Sequence, residues 1–182
     1  PFHEVQGRYP YEITIEPQMA FGTGHHATTR MMVRLMLDLD FMPDAVFDYG
    51  TGTGLLAILA EQMGATRIYG NETQETAFQN AALNLSHNTC QRITLSQSGL
   101  DQFPPGDRAF GLILANINRN TIIDSLPVLQ KQLRPDGLLA VSGFFSREAE
   151  HLRAQFYQQG LTRVRHLEEG HWAAGLFQRH TS

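Results

Sequence analysis

Val46-Phe47-Asp48-Tyr49-Gly50-Thr51-Gly52-Thr53-Gly54 is the stretch on which the fold turns. Apolar residues lead into Asp48, glycine then recurs at every second position, and an apolar helical run follows from Leu55 to Met63. This is a strand, a tight turn and a helix start. Glycines at alternate positions let the backbone turn sharply and let a ligand approach main-chain N–H groups without a Cβ in the way. A nucleotide-like ligand at the end of the first strand of an α/β sheet is the natural reading.

The spacing narrows the ligand. A dinucleotide fingerprint is G-x-G-x-x-G with an acid about 20 residues on. Counted from Gly50, its third glycine would fall on Leu55, so the pattern here is G-x-G-x-G. Asp48 stands two residues before Gly50, where a carboxylate would repel a pyrophosphate. It suits a ligand carrying an ammonium group and a sulfonium centre, and S-adenosylmethionine carries both. Downstream, Arg67-Ile68-Tyr69-Gly70-Asn71-Glu72 reads as a second strand ending in an acid. Glu72 is placed to accept hydrogen bonds from both hydroxyls of a ribose.

Composition sets the bounds. At 182 residues the chain suits one domain with a sizeable core. Hydrophobic residues make up 42% and charged residues 18%, ordinary for a globular protein. One cysteine, Cys90, rules out an internal disulfide and suits a reducing, cytoplasmic compartment. No apolar run is long enough to span a membrane as a helix, and the first residues carry no signal-peptide pattern. A formal charge of −4 disfavours direct nucleic-acid binding and tolerates a basic partner.

Along the chain, Tyr11 to Glu16 alternates and reads as a short strand ended by Pro17. A glycine-, threonine- and histidine-rich loop, Met19 to Thr29, leads into a helix from Thr29 to Leu39 capped by Thr28 or Thr29. Helix Leu55–Met63 is closed by Gly64. A helix from Glu75 to Leu85 is expected to bury Ala77, Phe78, Ala81, Ala82 and Leu85, with Asn84, His87 and Asn88 forming its terminus. Strand Arg92–Ser96, a loop at Pro104-Pro105-Gly106-Asp107, and the continuous apolar strand Ala109–Ile117 follow. The remaining elements are a helix from Asn120 to Leu133, a turn at Arg134 to Gly137, strand Leu138–Phe144 and helix Arg147–Gln159 closed by Gly160. A hairpin of Thr162–Glu168 and Trp172–Gln178 ends the chain. Strands alternating with helices give an α/β, doubly wound, mostly parallel sheet with a C-terminal antiparallel hairpin.

Phe21-Gly22-Thr23-Gly24-His25-His26 with Thr28-Thr29, then Asp48 with the three glycines, then an acid, then Leu114-Ala115-Asn116-Ile117, resembles the PrmA family of ribosomal protein methyltransferases. The likeness runs from about Ile15 to Phe177, and the Phe21–Thr29 loop is its specific part. It implies a seven-stranded, Rossmann-like class I methyltransferase using S-adenosylmethionine on amino groups of the eleventh large-subunit ribosomal protein. Carried over, Phe21, Gly22, Thr23, Gly24 and Thr29 close over the cofactor, with His26 in the same loop. Asp48, Gly50, Thr51 and Gly52 form its cradle, and Glu72 holds the ribose. Asn116 lies beside the transferred methyl and is the catalytic residue. Glu72 stands where the family usually has Asp, which keeps the charge and adds a methylene. Residues 1–182 read as one methyltransferase domain, without the N-terminal recognition domain of the family. Two other readings keep the fold: an acceptor that is RNA or a small molecule, or an inactive cofactor-binding module.

Some residues carry plainer readings. His25 and His26 are adjacent in a loop and lack a Cys/His/carboxylate set at zinc spacing, so no metal site is expected. Trp172 reads as hairpin packing, with a substrate platform as the alternative. Phe144 and Phe145 either border the acceptor cleft or fill core.

Overall fold

The computed structural model describes residues 9–16, 24–99 and 110–180. The elements of its first half are α1 (Ala27–Leu37), β1 (Ala45–Tyr49), α2 (Leu55–Gln62), β2 (Arg67–Asn71), α3 (Glu75–His87) and β3 (Ile93–Ser96). Those of the second half are β4 (Phe110–Asn116), α4 (Arg119–Gln132), β5 (Leu133–Phe145), α5 (Ala149–Gln158), β6 (Leu161–Glu169) and β7 (Trp172–Arg179). Seven strands form one sheet in the order β3-β2-β1-β4-β5-β7-β6. The first five are parallel, and β7 enters antiparallel between β5 and β6. The doubly wound α/β sheet expected from the sequence, with its terminal hairpin, is the one found.

Strand order reverses between β1 and β4, which pair directly through Val46 and Leu112. In an open α/β sheet, the crevice outside the strand ends at such a reversal is where ligands bind. Side-chain alternation divides the core between the two faces. On one face Phe47, Phe110, Ile113 and Ala115 pack with Ile122 and Leu126 of α4 and Phe156 of α5. On the other, Val46, Leu112 and Leu114 pack with Met32 and Leu35 of α1 and Leu56 and Leu59 of α2. Burying each large apolar side chain contributes about 1.5–3 kcal/mol. The two strands that meet at the reversal, β1 and β4, are therefore fixed from above and below.

Several local expectations change. Tyr11–Glu16 is extended but joins no strand of the sheet. Its main chain pairs instead with side-chain amides of Gln62, Asn80, Asn84 and Asn88. Helix α1 begins two residues early, because His26 and not Thr28 or Thr29 caps it, accepting from the Thr28 amide through Nδ1. The buried face of α3 is rotated: Asn80 and Asn84 are inside with Ala81 and Leu85, Ala77 and Phe78 are half-buried, and Ala82 is exposed. A hydrophobic template misses asparagines whose amides are fully bonded. Strand β5 starts at Leu133 and carries the expected turn residues, Arg134 to Gly137, within it as an irregularity against β4. The helix expected from Arg147 opens as a 3₁₀ turn, Ser146–Glu148, whose Glu148 carboxylate accepts the Phe145 N–H at 2.9 Å. The loop expected at Pro104 to Asp107 lies outside the described residues.

Among the described residues no helix is long and apolar enough to cross a membrane.

Candidate active site

Asp48 ends the buried part of β1 and is 1% exposed. Its Oδ2 accepts the Thr51 hydroxyl at 2.6 Å and the Ala57 N–H at 3.2 Å. Ala57 is the third residue of α2, and Gly54, the N-cap, has no side chain to offer. Asp48 therefore supplies from the strand the cap that the helix cannot supply itself. Burial pushes this carboxyl up to about 6, the bonds from Thr51 and Ala57 pull it back, and the charge of Glu72 adds to the rise.

Gly50, Gly52 and Gly54 all take left-handed φ values, +73°, +56° and +83°. A β-carbon on Gly50 would lie 2.5 Å from the Ile117 side chain. The turn is held from β2. Asn71 accepts the Gly50 N–H through Oδ1 at 3.1 Å and the Thr51 N–H through its main-chain oxygen at 2.9 Å. Asn71 is itself fixed by donating Nδ2 to the Ser98 oxygen at 2.8 Å. The sequence reading passed over Asn71; its one signal was a polar residue ending a strand immediately before an acid. Glu72 folds its carboxylate across the gap between the two strands. Oε2 accepts the Gly52 N–H at 3.2 Å, and Oε1 accepts those of Thr73 and Gln74 at 2.8 and 3.0 Å. The extra methylene over aspartate gives it this reach.

The facing wall comes from four other segments. Asn116 ends β4 and donates Nδ2 to the Thr29 hydroxyl at 3.2 Å. Its Oδ1 is buried and has no partner among the described residues. Thr29 is 1% exposed in the first turn of α1. His26 bonds Thr28 Oγ1 at 2.8 Å through Nδ1 and meets the Trp172 ring edge-on, with ring centroids 4.9 Å apart. Trp172, the first residue of β7, stacks on Phe145 at 4.6 Å. Phe144 and Phe145 part ways: Phe144 is core and Phe145 is 36% exposed. Gly143 sits at a bulge of β5 against β7 with φ +98°, and a β-carbon there would meet the Ile117 oxygen at 2.0 Å. The bulge thus lets β5 pass against the segment that follows Asn116.

Between the walls lies a cavity of about 490 Å³, in the range of small-molecule sites. It is lined by His26, Thr29, Asp48, Gly50, Thr51, Gly52, Glu72, Asn116 and Trp172, among others. Gly24 has φ +84° and approaches Leu55, which also lines the cavity. Phe21, Gly22 and Thr23 lie outside the described residues. Of the expected cofactor set, the described residues other than Gly24 line one cavity, at the end of the sheet where the strand order reverses. No group of three or more His, Cys, Asp or Glu side chains among the described residues could hold a metal ion.

The family model for ribosomal protein L11 methyltransferase (PrmA) matches residues 3–180 of this chain. The chain belongs to the PrmA family. Ribosomal protein L11 methyltransferases of Porphyromonas gingivalis and Phocaeicola vulgatus are 37% and 36% identical to it over 97% of its length. Those matches take in 61% and 62% of the two relatives, so the chain spans about three fifths of the PrmA proteins it resembles. The ribosomal protein L11 methylase crystal structure from Lactobacillus delbrueckii subsp. bulgaricus matches with a TM-score of 0.80 and 26% identity. That match covers 87% of this chain and 81% of that one. The seven-stranded sheet is thus the PrmA methyltransferase fold, in agreement with the resemblance carried by the sequence motifs.

Proposed function

We propose that this chain is an S-adenosylmethionine-dependent methyltransferase domain acting on amino groups of ribosomal protein L11, and so working in the cytoplasm. The observation that carries the reading is the buried Oδ1 of Asn116, which has no partner among the described residues, on the same cavity as a turn whose three glycines all take left-handed φ. A buried acceptor without a partner costs about 1–3 kcal/mol, so its retention calls for a donor brought by a ligand.

S-adenosylmethionine, when bound, supplies a methyl group already activated by its sulfonium. The residues around the cavity fit such a molecule. Gly50 and Gly52 offer close main-chain approach, Glu72 an acceptor pair for ribose hydroxyls, and Asp48 a negative charge within the wall. Toward the acceptor, Asn116 performs the main task. An attacking amine is neutral and carries N–H donors; Asn116 Oδ1 accepts one and aims the nitrogen lone pair at the donor side. As nitrogen gains positive charge, the same carbonyl dipole stabilises it more strongly than in the ground state. Thr29 holds the amide in that orientation through Nδ2. Trp172 and His26 add an apolar and aromatic part to the wall beside Thr29. Holding both reactants in line supplies most of what this displacement needs.

The test is calorimetric titration with S-adenosylmethionine, followed by transfer of radiolabelled methyl to purified L11 or to L11 peptides containing lysine or a free N-terminus. Binding with label on amino nitrogen is expected. Binding without transfer to L11, but with transfer to RNA or a small amine, would move the acceptor assignment; binding without any transfer would leave a cofactor-binding module.

A further inference from the structure

Asn80 and Asn84 on α3 and Asn88, its C-cap, stand four residues apart, so their side chains form a column along one face of the helix. Asn80 and Asn84 are 1% and 0% exposed. The column is bonded on two sides. On one side runs the extended segment Tyr11–Glu16. Asn88 accepts the Thr14 N–H at 2.9 Å and returns Nδ2 to the Thr14 oxygen at 2.7 Å. Asn84 Oδ1 accepts the Glu16 N–H at 2.9 Å, and Asn80 donates to the Glu16 oxygen at 3.3 Å. Alternate residues of the segment are thus read through their peptide groups, as a neighbouring strand would read them. On the other side is the glycine turn. Asn84 Nδ2 donates to the Thr53 oxygen at 2.9 Å. Beside it, Ala81 and Leu85 close on Gly54, where an added β-carbon would meet Leu85 at 2.9 Å.

We infer that this asparagine column is a binding site for extended main chain, occupied by Tyr11–Glu16, and that Asn84 is a positioning residue through which docking of that segment and cofactor binding reinforce each other. The inference rests on the reading of the glycine turn as the cofactor cradle. A side-chain amide is planar, so its two bonds orient one another: with Glu16 seated on Oδ1, Nδ2 is aimed at Thr53. Releasing the segment removes the donor that fixes the amide plane, so the Asn84 amide is able to turn and α3 to loosen. Either response weakens the Asn84 bond to the Thr53 carbonyl, one of the ties on the glycine turn. The coupling is reciprocal by thermodynamic necessity: a ligand that fixes the turn must hold the segment more tightly. Because peptide groups carry the recognition, the column demands an extended conformation and no particular side chains.

The experiment is amide hydrogen exchange, read by NMR on the full chain, with and without S-adenosylhomocysteine. The ligand is expected to slow exchange at Thr14 and Glu16 about fivefold or more, together with Gly52 and Gly54. Asn88→Ala touches no cavity residue; it is expected to speed exchange at Thr14 and to weaken S-adenosylhomocysteine by a comparable factor. Asn84→Asp keeps an acceptor for Glu16 but sets an oxygen against the Thr53 oxygen; it should weaken the ligand further and abolish the ligand's effect on Glu16. If Asn84→Asp does not fold, Asn88→Ala alone decides. Protection of Gly52 and Gly54 with Thr14 and Glu16 unchanged, or normal ligand affinity in Asn88→Ala, overturns the inference. No protection at any of these amides overturns the cofactor reading and this inference with it.

Discussion

On the β1 side of the cavity, Asp48, Asn71 and Glu72 each accept main-chain N–H groups of the glycine turn or of the segments that flank it. On the β4 side, Asn116, Thr29, Gly143 and Trp172 arrive from four separate segments, and Asn116 keeps a buried oxygen with no partner among the described residues. The first wall is bonded before any ligand arrives. The second holds one group in reserve. A wall of the first kind preserves a shape for a constant ligand; one of the second kind presents chemistry to a reactant. The same contrast says which substitutions should affect binding and which should affect rate.

The largest expected effect is on the reserve group. Asn116→Ala should lower kcat by about 10²–10³, as loss of a transition-state hydrogen-bonding group does. Affinity for S-adenosylmethionine should stay within about twofold, since the donor wall is untouched; calorimetry beside single-turnover rates checks both. A parallel loss of cofactor affinity would erase the distinction between the walls. Next comes Gly143→Ala. A β-carbon 2.0 Å from the Ile117 oxygen, at φ +98°, must displace the chain that follows Asn116. Left-handed strain and overpacking together predict a loss of about 2–4 kcal/mol in urea unfolding.

Asp48 gives a pH signature of the donor wall. Its carboxyl is raised from an ordinary 3.8 to about 6, chiefly by burial. Between those values the folded chain binds more protons than the unfolded chain, so stability falls as pH rises through this window and is level above it. The fall attributable to this one group is about 2–3 kcal/mol. Asp48→Asn keeps an oxygen for Thr51 and Ala57 and carries no charge. The variant should lose that contribution to the slope and be no less stable than the parent at neutral pH, as thermal unfolding from pH 4 to 7 would show. The smallest effect is at Glu72. Glu72→Ala should weaken S-adenosylmethionine by about 1–2 kcal/mol through loss of charge-assisted bonds, with kcat at saturation unchanged. A fall in kcat at saturation would mean that Glu72 serves the reaction and not the donor alone.

How much of this the sequence disclosed follows the same division. The donor wall is local: a strand, three glycines and an acid at a set distance, each with its own backbone reason, place Gly50, Gly52 and Glu72 before any fold is known. Asn116 was reachable because it ends a continuous apolar strand. Gly143 was not, since its place depends on a bulge that no periodicity announces, and Trp172 reads as a substrate platform only as the alternative to hairpin packing. The α3 face was misjudged for a related reason. Polarity predicts exposure only when polar groups lack partners, and Asn84 has three: the Glu16 amide, the Thr53 carbonyl and the Asn80 side chain. The segment at Tyr11–Glu16 alternates like a strand because it is extended, yet it lies along helices.

Because β7 runs against its neighbour β5, its first residue and not its last meets the cavity, and the connection from β6 at Gly170 and His171 lies at that same end. In a parallel slot the hairpin connection would fall on the far side of the sheet. Residues could therefore be inserted between Glu169 and Trp172 without shifting β1 or β2, and each would lengthen the rim of the cavity beside Trp172. Diversification of acceptors in such a scaffold has a cheap direction of travel, and this hairpin is where descendants of the fold would be expected to differ in length while the glycine turn stays as it is.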